Sequence, residues 1–274
     1  MIVTACGYID ETSFGSNRSL STWRNSDSGR PDQLRWRMVC DSVFDRFGRL
    51  DLLSRFAVVA VEMLRLRPPP PNVTFPDMGI SVGTQFGSFE VDVGFMQGKK
   101  GPGGGSPILF PYTLPSTVIG EIAIRHRITG PSVCVQAGTD SALAALWQSV
   151  RLVESGEVAA CIYVGCDGIF ATSHLCLPDK SHTQGNASCF AYAFLIENEN
   201  NARKHSRTPL AQISIDNNPN SRAEKSSAQD SREGLDRLYK YLAASDASSK
   251  VLKLTAPATL RTASALVIRR IESS

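Results

Sequence analysis

Long hydrophobic runs are missing from this chain. No apolar stretch among its 274 residues reaches the roughly 18 needed for a membrane-spanning helix, so no membrane partner is expected. The start, Met1–Cys6, has no basic segment ahead of an apolar one and reads as a first strand, not a targeting signal. Histidine is scarce, with four in all, and the seven cysteines include no CxxC pair; Cys161 and Cys166 stand too far apart to make one. That excludes the usual zinc spacings and argues for reduced thiols in a cytoplasmic protein with no metal or other cofactor. Excess charge of one sign is lacking too, since a net charge of +3 gives no case for nucleic acid. The charge is uneven, however: residues 201–274 carry +6 and the remainder −3. A basic C-terminal third suits either an acidic partner or a solvated face. Residues 98–105, GKKGPGGG, lack the GxxxxGK[ST] order of a phosphate loop and read as a flexible connection.

What is present suffices for a core. Apolar residues make up 42% and charged residues 20%, which fits one large or two small globular domains. Ile2–Gly7 reads as a buried strand and residues 10–32, rich in Ser, Asn, Asp and Gly, as loop. Leu50–Leu66 is apolar over most of its circumference, the mark of a helix buried on several sides, and Pro68–Pro71 would stop it. Met78–Val82 reads as a strand leading into Gly83–Gly87. Thr117–His126 reads as a helix with Ser116 placed to cap it. The strand Val133–Gln136 passes through a small-residue turn, Ala137–Asp140, into a helix Ser141–Ser155 that Gly156 ends; Thr139 or Asp140 would cap it. Strands follow at Ala159–Gly165, Ala187–Ile196 and Pro209–Ile215. Residues 216–234 are polar and read as exposed, Leu235–Ala244 as a short helix, and Val251–Leu254 and Ala263–Ile268 as closing strands. Strand, turn, helix and strand recur, which implies a layered α/β fold.

The order of these pieces resembles the β-ketoacyl synthase family of the thiolase fold. Gly130-Pro131-Ser132-Val133 is similar to the segment that introduces that family's nucleophile strand. Residues 152–165, LVESGEVAACIYVG, Phe194-Leu195-Ile196-Glu197 and the closing Thr262–Arg270 resemble further family motifs in the family's order. The resemblance covers about residues 1–215 and resumes at 233–274. It implies a thiolase-like fold with a strongly shortened C-terminal half: a ketosynthase-like N-terminal half over 1–215, and over 216–274 a linker, a short helix and a pair of strands.

Two departures carry the functional expectation. Counted from Gly130, the turn position that holds the family's acyl-accepting Cys is Thr139, and Cys134 lies five residues earlier inside the strand. No His occurs after His205, so the second-half histidines of the family have no counterpart. A helix N-terminus can lower a thiol into its reactive range, whereas a Thr hydroxyl needs a base beside it, and the neighbouring Asp140 disfavours an alkoxide. Without imidazoles there is no recognisable oxyanion partner.

The pattern resembles the non-catalytic chain length factors and their relatives in bacterial type II polyketide and aryl polyene systems. They share a turn like Ala137-Gly138-Thr139-Asp140-Ser141, and Gln136 is not assigned the role that a Gln has in them. The resemblance implies a subunit without catalytic residues that pairs with an active β-ketoacyl synthase and bounds the acyl cavity, with an acyl carrier protein as a further candidate partner. Pairing would run through Val133, Cys134, Val135 and Gln136, with Arg125 and Arg127 beside them. Phe86, Phe89, Phe95 and Met96 would either face the acyl cavity or belong to ordinary core. Lys99, Lys100, Arg203, Lys204 and Arg207 would either contact the acidic carrier or be simply solvated. His126, His174 and His182 read as surface or structural residues. The alternatives are a homodimeric acyl-binding scaffold, or an acyltransferase or thioesterase using Thr139, Ser141 or Cys134.

Overall fold

The computed structural model describes residues 1–17, 19–22, 33–40, 42–66, 74–99, 105–169, 188–216, 231–243, 251–255 and 265–271. Pro68–Pro71, Lys100 and the glycine run after it, His174, His182 and residues 217–230 lie outside them.

One mixed sheet organises the chain. β4 (Met78–Gly83) lies between two parallel neighbours, β5 (Ser132–Val135) and β6 (Ala160–Ile169). β7 (Ser188–Glu197) runs antiparallel to β6, and β1 (Ile2–Ile9) antiparallel to β7. The sheet continues through β8 (Ala211–Asp216), β10 (Ala265–Arg270) and β9 (Val251–Thr255), so the C-terminal strand pair extends the sheet of the N-terminal part. The stretch read as loop after β1 contains a hairpin, β2 (Ser13–Ser16) and β3 (Ser19–Thr22). Its cause is local turn chemistry: Asp10 Oδ1 accepts from Thr12 N at 2.9 Å and Ser13 N at 2.8 Å, folding the chain back onto β1.

The two faces of the sheet differ in side-chain size. Along β7, Cys189, Ala191, Ala193 and Leu195 face one core, while Phe190, Tyr192, Phe194 and Ile196 face the other. This is the period of two expected of a strand buried on both sides. Small residues on the first face let α1 (Leu52–Glu62) lie close. A Cβ on Gly7 would stand 2.4 Å from Ala60 O, so only glycine fits where β1 passes under α1. α1 is shorter than its apolar run. Asp51 caps it by accepting from Ser54 N at 3.2 Å, and its end tightens until Arg65 adopts a left-handed φ of 52°, before the prolines are reached.

α3 (Thr117–His126) packs on α1. Ser116 occupies its capping position in helical geometry without a side-chain bond; Thr117 Oγ1 instead donates to Pro111 O at 2.5 Å. Arg125 donates to Glu62 and lies 4.6 Å from the Trp36 ring centroid and 4.3 Å from that of Phe44, clamping α3 to α1 and the preceding segment. His126, also beside Glu62, is buried.

On the opposite face α4 (Ser141–Glu154) is buried on nearly every side. Ser81 Oγ donates to Ala145 O at 2.8 Å and Tyr163 OH to Ala142 O at 3.0 Å, pinning the helix to β4 and β6. A further side of α4 is packed by α6 (Ser231–Ala243). Leu235, Leu238, Tyr239 and Leu242 recur at the spacing of one helix face and are buried with Tyr241. α6 is itself tied down at both ends. Arg232 forms a bidentate pair with Glu11 at 3.1 and 2.9 Å, and Tyr241 OH accepts from Arg270 N at 2.9 Å. α5 (Glu199–Lys204) is held by the fully buried Glu197 carboxylate, which accepts from Thr4, Asn201 and Arg207.

Two outcomes test this packing. Gly7→Ala costs about 1–3 kcal/mol in chemical denaturation, because backbone must move, whereas Gly94→Ala, in α2 (Phe89–Lys99) with open space around it, is neutral or stabilises by up to about 1 kcal/mol. Burial, with Arg125 adding to it and Glu62 opposing, holds His126 below its ordinary value of 6.5. The folded chain therefore takes up this proton at lower pH than the unfolded one. Its contribution to stability is complete above 6.5 and declines as pH falls from 6.5 through the lowered folded value. Melting temperatures between neutral and mildly acidic pH should show this decline, and His126→Gln should flatten it.

Candidate functional site

The carboxyl ends of β4, β5 and β6 point the same way and lead into the features of interest. β5 turns through Ala137, Gly138 and Thr139, with Gly138 at a φ of +61°, into α4. The turn is tied by Ser141, whose Oγ accepts from Ala137 N at 2.8 Å and donates to Gly138 O at 2.6 Å. Asp140 stands at the capping position without a side-chain cap bond, and the bonds of Ser141 Oγ tie the turn ahead of the helix, not the free N–H groups of its first turn. A Cβ on Gly83 would meet Ser141 O at 2.4 Å, and this contact sets the start of α4 directly on the end of β4.

Thr139 is exposed in the turn that precedes α4. Ser141 is buried with its hydroxyl committed to the turn. Cys134 is half-buried in β5, and burial pushes its thiol up, away from the thiolate that a nucleophile needs. The described histidines lie elsewhere: His126 at the end of α3 and His205 exposed beyond α5.

Asp167, unremarked in the sequence, organises the neighbouring loop. Its Oδ1 accepts from Thr84 Oγ1 at 2.7 Å, Gln85 N at 2.9 Å and Phe86 N at 3.0 Å, and Thr84 Oγ1 accepts from Gly87 N at 2.9 Å. The available signal was a carboxylate within the otherwise apolar β6, where it needs donors. This loop opens α2. Phe86, Phe89 and Phe95 are half-buried and Met96 is exposed. Phe95 meets Phe110 with ring centroids 6.0 Å apart, and Ile108, Phe110 and Leu114 are more than half exposed, so the aromatic group borders an apolar surface. Gly87 lies against both Pro115 and Gln136, making that surface continuous with the end of β5.

Val133, Cys134, Val135 and Gln136 sit at the sheet edge, since the strand order begins with β5. Pro131 O and Val135 O accept from Ile80 N of β4 and from Thr84 N just after it, so the main-chain groups of Ser132, Cys134 and Gln136 turn outward. Arg125 is engaged within the chain and does not reach this edge, whereas Arg127 caps α3 with a φ of 54°. Of the basic residues, Arg203, Lys204 and Arg207 cluster at α5, beyond the other end of the parallel strands; Arg203 pairs with Glu199 and Arg207 with Glu197. Lys99 closes α2, and Lys100 lies outside the described residues.

The turn has a simple test. Ser141→Ala removes two buried hydrogen bonds and costs about 1–3 kcal/mol in denaturant unfolding, whereas Thr139→Val, at an exposed site, changes stability by less than about 0.5 kcal/mol.

Comparison with known proteins adds three likenesses. The 3-oxoacyl-[acyl-carrier-protein] synthase 2 of Rhizobium meliloti (strain 1021) is 28% identical over 131 residues, which is 47% of this chain and 29% of that protein. The chain thus spans under a third of that relative's length. Among solved structures, the ishigamide ketosynthase/chain length factor is 16% identical with a TM-score of 0.66, covering 99% of each chain. A structure of the ketosynthase ApeO in complex with its chain length factor ApeC, from Xenorhabdus doucetiae, matches at 15% identity and a TM-score of 0.58, over 98% of this chain and all of that one. These two establish the fold as that of the ketosynthases. The family model named "Beta-ketoacyl synthase, N-terminal domain" matches residues 44–189, more than half of the sequence and the whole stretch from α1 through the Thr139 turn to the Asp167 anchor, and the chain therefore belongs to that family.

Proposed function

We propose that this chain is a non-catalytic, chain-length-factor-like subunit. It pairs with an active β-ketoacyl synthase in a type II polyketide, polyene or fatty-acid-like pathway and helps to shape the cavity that holds the growing acyl chain. The observation that carries this reading is a preserved strand–turn–helix scaffold whose nucleophile position holds an exposed threonine. The scaffold is held by Ser141 and Gly83, so it is not a decayed remnant, yet it presents no thiolate. The ApeO structure pairs a ketosynthase with its chain length factor, and the same kind of pairing is proposed here.

β5 supplies the contact. Its outward main-chain groups can extend a sheet into a partner, and the apolar surface around Phe110 lies beside its end. Phe86, Phe89, Phe95 and Met96 then border the shared cavity. In this reading residues 1–215 form the ketosynthase-like half, and 216–274 the reduced half that closes the core over α4. Among the described residues no helix is long and apolar enough to cross a membrane, and a cytoplasmic location is part of the same proposal. An acyl carrier protein is a further proposed partner of the assembly.

Coexpression with a ketosynthase encoded nearby should give a heterodimer on size exclusion. Cys134→Pro, which removes one outward N–H without touching the bonds to β4, should abolish co-elution while leaving the circular dichroism spectrum unchanged. A chain that ignores every such synthase would overturn the pairing, whether it stays monomeric or forms a tight homodimer. After incubation with acyl thioesters, mass spectrometry should find no acyl adduct on Thr139, Ser141 or Cys134; an adduct on any of them would overturn the non-catalytic assignment.

A further inference from the structure

At the end of the parallel strands opposite the Thr139 turn, a groove of about 680 Å3 opens beside the starts of β4 and β6. Its size lies within the range of small-ligand sites. The groove has two unlike parts. Leu66, Phe75 and Met78 give an apolar floor, completed by the buried His126. Arg65, Lys204 and Arg207 supply positive charge from two separate segments of the chain, and Asp77 is the one carboxylate among the lining residues.

The groove is preformed. Phe75 is fixed by its main chain, its N donating to Arg127 O at 2.9 Å and its O accepting from Thr129 N at 3.2 Å. Arg207 is held by Glu197, whose carboxylate is fully buried, with Nη1 to Oε2 at 2.7 Å. The helix ends around it use costly backbone. Arg65 beyond α1, Arg127 at the end of α3 and Ser206 beyond α5 have φ of 52°, 54° and 53°, left-handed geometry that glycine adopts with less strain. Of the described non-glycine residues with positive φ, Arg65 and Ser206 line this groove, and Arg127 accepts from the N–H of its Phe75. Side chains are retained there at a backbone cost of about 1 kcal/mol each, and strain of this kind concentrates at binding sites.

We infer that this groove binds a small organic phosphate of about mononucleotide size, its phosphate held by Arg65, Lys204 and Arg207 and its planar or apolar body resting on Phe75 and Leu66. Several cations around an apolar floor suit a dianion with an attached ring better than a monocarboxylate, which one guanidinium satisfies. Nothing in this inference depends on a synthase partner, because the groove lies at the opposite end of the parallel strands from the Thr139 turn and none of its lining residues belongs to β5.

The probe is adenosine 5′-monophosphate, titrated by calorimetry into the full chain in whatever assembly it purifies. Expected are saturable binding with Kd below about 1 mM, competition by inorganic phosphate, and binding of unphosphorylated adenosine at least about tenfold weaker. Lys204→Glu and Arg65→Glu, both at exposed positions, should each weaken binding about tenfold or more without lowering the melting temperature. Hydrogen exchange on the unmodified chain supplies an independent readout: the nucleotide should protect residues 199–207 and the end of α1. The inference is overturned by absence of saturation at about 10 mM, by adenosine binding as tightly as its phosphate, by affinity indifferent to both charge reversals, or by protection confined to other parts of the chain.

Discussion

The close approach of α4 to the end of β4, permitted by the absence of a side chain at Gly83, is the contact on which the rest of the structure depends. It puts the first turn of α4 directly over the carboxyl ends of the parallel strands. Ser81 and Tyr163 then lock the helix by bonding its carbonyl oxygens from β4 and β6. From this contact follow the place of the Thr139 turn, the edge position of β5 and the burial of α4 on the aromatic side of the sheet. Adding even a methyl group at Gly83 would push on backbone, not on a side chain that could turn aside, so the geometry is fixed by main-chain volume.

A helix N-terminus is a place where a thiol would ionise, and the family's chemistry exploits it. Here the same geometry is kept with a hydroxyl, and the hydroxyl best placed to matter, that of Ser141, is spent on holding the turn. The cysteines in the core do not compensate: Cys6 and Cys161 are pushed up to about 12 by burial, and Cys166 and Cys189 are raised by burial as well. On the proposed reading, the chain keeps the scaffold and offers its surface to a partner. Asp167 serves the same end, because a buried carboxylate gripping two backbone N–H groups and a hydroxyl stiffens the loop next to that surface.

The C-terminal part completes the domain economically. α6 packs on α4, and β8, β10 and β9 continue the sheet beyond β1, so among the described residues both cores lie against one sheet. The aromatic ladder of Tyr8, Tyr192 and Tyr239, with centroids 4.5 to 6.0 Å apart, joins α6 to β1 and β7. Among the described residues, Ile108, Phe110 and Leu114 expose apolar surface near the end of β5, which is why the two features are read as parts of one interface.

By itself the sequence determined the layered α/β class, most strand and helix positions, and the identity of the Thr139 residue in the turn before α4. Those properties follow from the period of apolar residues and from residue identity at a motif, both local in the chain. It also placed Val133–Gln136 as a strand. What it could not decide depends on side chains distant in sequence. The hairpin after β1 arises from hydrogen bonds to Asp10, invisible to hydrophobic patterning. The side-chain cap expected of Asp140 does not form, and Ser141 instead ties the turn before α4. Arg125 points inward because Glu62, Trp36 and Phe44 converge on it from other segments. Only the tertiary structure could join Asp167 to the Thr84–Phe86 loop, or bring Arg65, Lys204 and Arg207 around one groove. Such groupings are fixed by how strands and helices stack, and sequence separation carries no record of that.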